Sequence, residues 1–412
     1  MHKRNSNQIN IEDYNYHLPP DKIAQFPMEQ REMSKLLYAN LQKDTVENRY
    51  FYNLPEILKN DCSNNSVYLV RNSTKVFPAR FFLEKETGGR VEILFETPIT
   101  YNLPELALAN PSPQVWECFV RGRNLRENTR LKGHFEGIEI NANIQNVVDG
   151  KRHIQFEWIP NSLSLTEILE QLGKVPLPPY IARQMQEQDR QTYQTIYAQK
   201  QGSIAAPTAG LHFTEEITKE LIKSNIEILD LTLHVGSGTF VPIKAESVDE
   251  HEMHSEQFQV DIEFLQKLHQ ALTKPNKKII ATGTTSVRTL ESLYWLGVSL
   301  MENKDTDLKI NQWIWKDNKP DIAHYLAINE IINYMKNRSL NLLITTTQIM
   351  IIPGYEFKMI DGLITNFHLP KSTLLLLVSA FVGYDNYQKI YEFALNNEYR
   401  FLSYGDANLY LK

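Results

Sequence analysis

Apolar and polar positions divide this chain into two textures. Between residues 66 and 158 the apolar residues fall in short β-rich runs at 67–70, 80–83, 91–95, 115–120, 138–144 and 154–158. Gly88-Gly89, Asn102, Pro111-Ser112-Pro113 and Asp149-Gly150 punctuate them. Short strands with turn residues between them predict a small barrel or sandwich. From Gly202 onward, strand-sized and helix-sized blocks alternate. Strands are expected over 226–233, 278–282 and 345–352, and helices over 261–273, 284–295, 327–335 and 386–396, with the chain ending in a polar loop. Ile262, Leu265, Leu268 and Leu272 share one helical face. This alternation predicts an α/β fold: a mostly parallel sheet with flanking helices, plus an inserted small β-barrel domain. Residues 1–65 and 159–412 are assigned to the α/β domain and 66–158 to the barrel. Outside these blocks, Pro19-Pro20-Asp21 starts a helix that Pro27 ends. Leu165, Ile168 and Leu172 mark another helix, residues 176–180 are extended, and residues 183–198 form a polar surface helix.

One run in the second texture combines a strand, a polar break and a helix. Residues 361–383 read DGLITNFHLPKSTLLLLVSAFVG. His368-Leu369-Pro370-Lys371 breaks a strand-like segment, and Ser372 or Thr373 can cap the helix that follows. A strand feeding a loop that opens a helix is the ligand-bearing corner of an α/β sheet. Free amides at such a helix start favour a carboxylate or phosphate. Asn366, His368, Lys371 and Ser372 crowd this corner; the plainer reading is a buried helix with an ordinary cap. The apolar run is too short for a bilayer, which takes about 20 residues.

Three further corners have the same form. Residues 202–214, GSIAAPTAGLHFT, carry Thr208 and His212 among small residues that let a ligand approach the backbone. Residues 233–240, LHVGSGTF, carry His234 beside a Gly-Ser-Gly turn, a weak signal alone. Residues 282–288, TGTTSVR, open a helix with Thr284, Thr285 and Ser286. Arg288 lies one turn on, placed to pair with a bound carboxylate. Such corners converge at the carboxyl ends of the strands. Four of them predict an enzyme with a polar small-molecule ligand. His251 and His254 in EHEMH stand three apart, where a zinc-protease helix needs four, and no third ligand is evident. No metal site is expected.

Charge narrows the choice of partner. Lys and Arg number 43 against 49 Asp and Glu, a net charge of −6. That balance argues against indiscriminate nucleic-acid binding and leaves room for a local basic face. The densest basic run is Arg121, Arg123 and Arg126, followed by Arg130 and Lys132, with Lys75 and Arg80 earlier. A solvated barrel rim is its plainer reading. Cys62 and Cys118 are far apart and suit buried free thiols. MHKRNSNQIN has no apolar segment behind it, so no signal peptide and a cytosolic location are expected.

With these motifs in place, the chain resembles the S-adenosylmethionine:tRNA ribosyltransferase-isomerases of queuosine biosynthesis. The resemblance is carried by YHLPPDKIAQFP, ETGGRVEIL, SIAAPTAGLHFT, LTLHVGSGTF, ATGTTSVRTLES, ITNFHLPKSTLLLLVSAF and YRFLSYGDANL, in the family's order and over nearly the whole chain. It implies an α/β domain with an inserted β-barrel. It also implies transfer and isomerisation of the ribosyl group of S-adenosylmethionine onto 7-aminomethyl-7-deazaguanine in tRNA, giving epoxyqueuosine-tRNA, adenine and methionine. The donor is a co-substrate; no cofactor and no metal are implied, and a monomer is expected. Asn72-Ser73-Thr74-Lys75 departs from the family's Asn-Asp-Thr-Arg, and Lys75 loses the fork of Arg. Residues 299–345 are longer than in compact members. The implied chemistry needs a base near neutral pKa, for which His212, His234 and His368 are the suitable types, His212 first. Thr208, Thr284, Thr285, Ser286, Arg288, Asn366, Lys371 and Ser372 are expected around the donor. Lys75, Arg80, Arg121, Arg123 and Arg126 are expected on RNA. The alternatives are ribosyl transfer to a different acceptor and a tRNA-binding protein without catalysis.

Overall fold

The computed structural model describes residues 9–240, 243, 247–303, 306–316 and 320–412. Strands β1 (Lys35–Asn40) and β2 (Thr45–Tyr50) form a hairpin, and α1 (Leu54–Asp61) leads to β3 (Ser66–Asn72) and the short β4 (Thr74–Val76). Six strands follow: β5 (Arg80–Lys85), β6 (Arg90–Pro98), β7 (Gln114–Arg121), β8 (Arg130–Phe135), β9 (Ile138–Val148) and β10 (Lys151–Ile159), with α2 (Pro104–Ala109) between β6 and β7. The chain continues through α3 (Leu165–Leu172), one turn of α4 (Asp189–Thr192), β11 (Lys200–Ser203), α5 (Glu215–Lys223), β12 (Glu227–Leu233), β13 (Glu256–Asp261) and α6 (Ile262–Thr273). It ends with β14 (Lys277–Thr282), α7 (Thr284–Glu302), β15 (Lys309–Ile310), α8 (His324–Asn337), β16 (Leu342–Thr347), β17 (Gly362–Asn366), α9 (Thr373–Val382), α10 (Tyr384–Asn396) and β18 (Ala407–Leu411).

Ten strands make one sheet in the order β15-β16-β13-β12-β3-β14-β17-β18-β1-β2. It is mixed. Its centre, β12-β3-β14-β17, is parallel, and β13, β2 and β18 each bring antiparallel neighbours. The central strands read as near-continuous apolar runs because helices cover both faces. Six strands close into the barrel β10-β7-β6-β5-β8-β9. There the apolar positions alternate: Ile138, Ile140, Ala142 and Ile144 point inward along β9, toward Phe95, Trp116 and Phe156.

Several expectations are corrected here. Residues 67–70, read as the first barrel strand, belong to β3 in the middle of the large sheet, so the barrel strands begin at Arg80. An uninterrupted apolar run was the sign of burial on both faces. The polar helix over 183–198 shrinks to one turn, which Arg183 secures by a two-pronged pair to buried Asp189. The helix expected from Pro20 is a single tight turn, Pro20–Lys22. The tail is no polar loop: β18 is fully buried between β17 and β1. The long 299–345 segment supplies the end of α7, edge strand β15, α8 and the start of β16.

Helix α7 is buried on nearly every side, its Arg288 and Glu291 side chains included. It meets α8 at Gly297, where an added Cβ would lie 2.2 Å from the Ala327 carbonyl oxygen. That backbone cannot step aside without moving α8. Gly297→Ala is therefore expected to destabilise the fold by about 1–3 kcal/mol, despite its better helix propensity. Thermal melts of the two proteins measure it; an unchanged or higher Tm would show that α8 slides freely on α7.

Candidate active site

The parallel arrangement of β12, β3, β14 and β17 places all four carboxyl ends on one edge of the sheet. Gly283 leaves β14 with φ +84 and donates its amide to the Ile364 carbonyl of β17 at 2.7 Å. A glycine suits that left-handed turn. A cleft of about 630 Å³, open solvent at its mouth included, lies over this edge. Of the residues expected around a donor, it gathers Thr208, Thr284, Thr285, Asn366 and Ser372, together with His368 from the three expected bases. Thr239, Thr365, Tyr180, Leu402 and Ser403 complete the polar and apolar wall. Tyr180 and Ser403 were missed, although Ser403 lies in YRFLSYGDANL, a segment that carries the family resemblance; Tyr180 Oη and Ser403 Oγ bond at 2.6 Å. None of the described lining residues is Asp, Glu, Lys or Arg.

The two helix starts at this cleft differ. Helix α9 is capped: Ser372 Oγ accepts from the Leu375 amide at 3.2 Å and donates to the Leu369 carbonyl at 2.8 Å. Helix α7 has Gly283 at its N-cap and no side-chain cap. Its first amides and the Thr284 and Thr285 hydroxyls are the better anion seat. Asn366 presents a second polar handle: its Oδ1 is buried without a hydrogen-bond partner.

Four expected residues lie elsewhere or are already engaged. Arg288 is buried and ion-paired with Glu256, while its Nε donates to the Ile349 carbonyl, so it does not line the cleft. Thr239 Oγ1 donates to the same Glu256 at 2.9 Å and links this pair to the cleft wall. Ser286 turns its hydroxyl back onto the Thr282 carbonyl. Lys371 sits in the left-handed region at φ +55 and gives its ammonium to Glu12 at 2.6 Å. His212 lies behind the cleft and not in it.

The three histidines separate by their partners. His212 Nε2 accepts from Asn366 Nδ2 at 3.2 Å, so Nδ1 carries the proton and donates to Ser34 Oγ at 2.7 Å; Ser34 in turn donates to the Arg31 carbonyl. Burial first, then the nearby Arg400 and Arg31 charges, pushes His212 down to about 3. It is a neutral spacer with both nitrogens spent, which corrects its place as first choice for the base. His234 donates from Nε2 to Glu105 Oε1 at 3.3 Å and accepts at Nδ1 from Thr74 Oγ1 at 2.9 Å. It ties the barrel side to the end of β12. Gly202 is required beside it, since a Cβ there would come within 2.7 Å of the ring. His368 alone of the three lines the cleft. Its Nε2 meets Thr365 Oγ1 at 2.9 Å, and burial pushes it down to about 3.

The expected RNA residues split into two places. Arg121, Arg123 and Arg126 are exposed on and beyond the far end of β7, away from the large sheet. Lys75 lies in β4 against β11, and Arg80, at the start of β5, reaches Glu92, which stands opposite Arg121 on β7; Arg123 and Arg126 lie further out. Among the described residues, no group of three or more His, Cys, Asp or Glu side chains could hold a metal. No described helix is long and apolar enough to cross a membrane.

Glu96 is a residue that sequence reasoning did not mark. It is the extra residue of a bulge between Phe95 and Thr97, and the bulge turns it toward Ser237 in the Gly-Ser-Gly turn. Burial raises its carboxyl to about 7, against the opposing pull of Ser237 and Lys151.

A matching family model, described as Queuosine biosynthesis protein, covers residues 11–410. The S-adenosylmethionine:tRNA ribosyltransferase-isomerase of Halothermothrix orenii is 39% identical over 409 residues, 98% of this chain and all of that protein. Its namesakes in Desulfitobacterium hafniense and Thermosipho africanus are 38% and 39% identical, covering 98% and 97% of this chain and 100% and 99% of theirs. A crystal structure of S-adenosylmethionine tRNA ribosyltransferase from Thermotoga maritima is 27% identical, with TM-score 0.46, over 97% of this chain and 100% of that one.

Two predictions come from this geometry. Lys371→Ala should leave S-adenosylmethionine affinity within about twofold in a calorimetric titration, because the ammonium belongs to Glu12 and is held outside the cleft. A tenfold loss would return Lys371 to the donor site. The second concerns Glu96, whose folded pKa of about 7 lies above its ordinary 4.5. The native state binds that proton more tightly, so the residue's cost is absent below 4.5, grows between 4.5 and 7, and is full above 7. Glu96→Gln should therefore gain Tm relative to the parent as pH rises through that window. A difference that stays flat from pH 4.5 to 8 would contradict it.

Proposed function

The chain belongs to the queuosine biosynthesis protein family, and from that premise we infer that it is an S-adenosylmethionine:tRNA ribosyltransferase-isomerase whose donor cleft lies over β12, β3, β14 and β17. It moves the ribosyl group of S-adenosylmethionine onto 7-aminomethyl-7-deazaguanine in tRNA and releases adenine and methionine. The observation that carries the cleft assignment is the gathering of the uncapped α7 start, Asn366 and His368 around one space.

In this reading the methionine carboxylate sits on the first amides of α7 with Thr284 and Thr285. Asn366 Oδ1 accepts from the adenine amino group. The sulfonium acidifies the neighbouring ribose 5′ carbon. His368 is the candidate for taking that proton on geometry: it alone of the three histidines lines the cleft and keeps Nδ1 as acceptor when Nε2 donates to Thr365, although burial leaves it a weaker base than the near-neutral one this chemistry asks for. The released electron pair opens the ribose ring and expels adenine, which leaves with a proton. The tRNA amine then attacks, and closure to the epoxide expels methionine. Every polar group this scheme uses is an amide, a hydroxyl or an imidazole, so we propose that no metal or other cofactor takes part. A single chain supplies the whole cleft, and we propose that it acts as a cytosolic monomer.

The test is incubation of the protein with S-adenosylmethionine and precursor-bearing tRNA, followed by mass spectrometry of the nucleosides. Epoxyqueuosine and free adenine are expected, undiminished by exhaustive chelation. Asn366→Ala should lose about tenfold or more in kcat/KM, through the lost base contact and the His212 bond. Ribosylation of another acceptor, or tRNA binding without adenine release, would overturn the activity.

A further inference from the structure

Next to the donor cleft lies a second, smaller one of about 230 Å³, shared at Ser403 and separated by the Asn366–His212 pair. Arg31, Arg400, Ser34 and Met28 line it. Arg31 makes its hydrogen bonds only to carbonyl oxygens, those of Gln191, Gln194 and Leu211, so its charge is not neutralised by a carboxylate among the described residues. Three large aromatic side chains stand exposed on segments that border the cleft, without lining it. Phe26 is 44% exposed and carries the Arg183 guanidinium, itself paired with Asp189, 4.1 Å over its ring; its carbonyl accepts from Arg400, which also pairs with Asp406 at 3.5 Å. Tyr50 and Tyr52 are 41% and 46% exposed and stack on each other at 5.5 Å, only 7° from parallel. They flank Phe51, whose amide bonds the Ser34 carbonyl and whose ring packs on His212 at 5.1 Å.

Parallel aromatic rings left in water, beside guanidinium groups and a cleft, match the needs of unpaired nucleotides. A base must leave its stack before an enclosed site can act on it. Single-stranded RNA is held by stacking on aromatic faces and by cations along its backbone. We propose that this face, from Phe26 and Arg400 across to Tyr50 and Tyr52, is where a single-stranded segment of the tRNA docks, with the acceptor base entering the smaller cleft toward Asn366. The proposal rests on the donor-cleft reading above and adds the acceptor side to it. It separates two RNA contacts: the exposed arginines at the barrel's far end meet phosphates, and this face holds bases.

The experiment measures binding of a tRNA transcript by fluorescence anisotropy at several salt concentrations. Tyr50→Ala/Tyr52→Ala should lose about tenfold or more in affinity, with the salt slope unchanged, since stacking releases no counterions. Tyr50→Phe/Tyr52→Phe should keep most of the affinity because the stacking faces remain. Arg121→Ala/Arg123→Ala/Arg126→Ala should instead flatten the salt slope. S-Adenosylmethionine titrations and melts should match the parent for the tyrosine pair, and Phe26→Ala repeats the test from the opposite side of the cleft. Unchanged transcript affinity in both the tyrosine pair and Phe26→Ala overturns the docking face, provided the parent releases adenine with tRNA. A parent that binds precursor-bearing tRNA and releases no adenine overturns the activity instead.

Discussion

Four parallel strands ending on one edge of a sheet are the constraint from which the site follows. Side by side, β12, β3, β14 and β17 must each turn away at the same level, and each turn brings polar backbone to one place. The Gly283 amide on the Ile364 carbonyl fixes β14 and β17 at the point where they separate. Asn72, at the end of β3, accepts from the Leu233 amide and donates to the Leu233 carbonyl, tying β3 to β12. These bonds hold the corners while leaving the first amides of α7 uncapped. A conventional Ser or Asp cap at position 283 would have spent one of those amides on the protein itself.

The corners were legible because each is a local event: a strand pattern, a small-residue turn, a helix cap. Ser372 as a cap and the strand into Asn366 were readable from spacing alone. Side-chain partners were not, because they come from distant segments. Lys371 meets Glu12 and His212 meets Ser34, partners more than 150 residues away. Arg288 looked available from its helical position, but Glu256 on β13 already occupies it. The same limit explains the fold errors. β18 is short and its flanks are polar, and only its place between β17 and β1 makes it a strand. The β3 run fitted a barrel texture locally, and what sets it apart is burial on both faces.

Burial also decides what the histidines can do. Residue type alone made His212, His234 and His368 equivalent. Surrounded by protein, His212 and His368 lose their charge at any working pH, and His212 has each nitrogen committed. A neutral imidazole so held is a rigid hydrogen-bonding element. It orients Asn366, whose Nδ2 it occupies and whose Oδ1 is thereby left free for a ligand. The pair thus stands as the wall between the two clefts.

The absence of formal charge among the described lining residues has a chemical consequence. A sulfonium donor owes its reactivity to the positive charge beside its ribose carbon. A carboxylate in contact with that charge would stabilise the ground state and weaken the acidity of the adjacent C–H, and in a low-dielectric cleft the effect would be large. Here the Arg288–Glu256 ion pair is closed on itself behind Thr239. Its carboxylate is compensated before its field reaches the cleft. In the proposed binding mode, dipoles replace ions at the places where the donor carries charge: helix amides for the carboxylate, an amide oxygen for the base. Dipoles of this kind are fixed by the fold, so they orient the donor without quenching the sulfonium on which the chemistry depends.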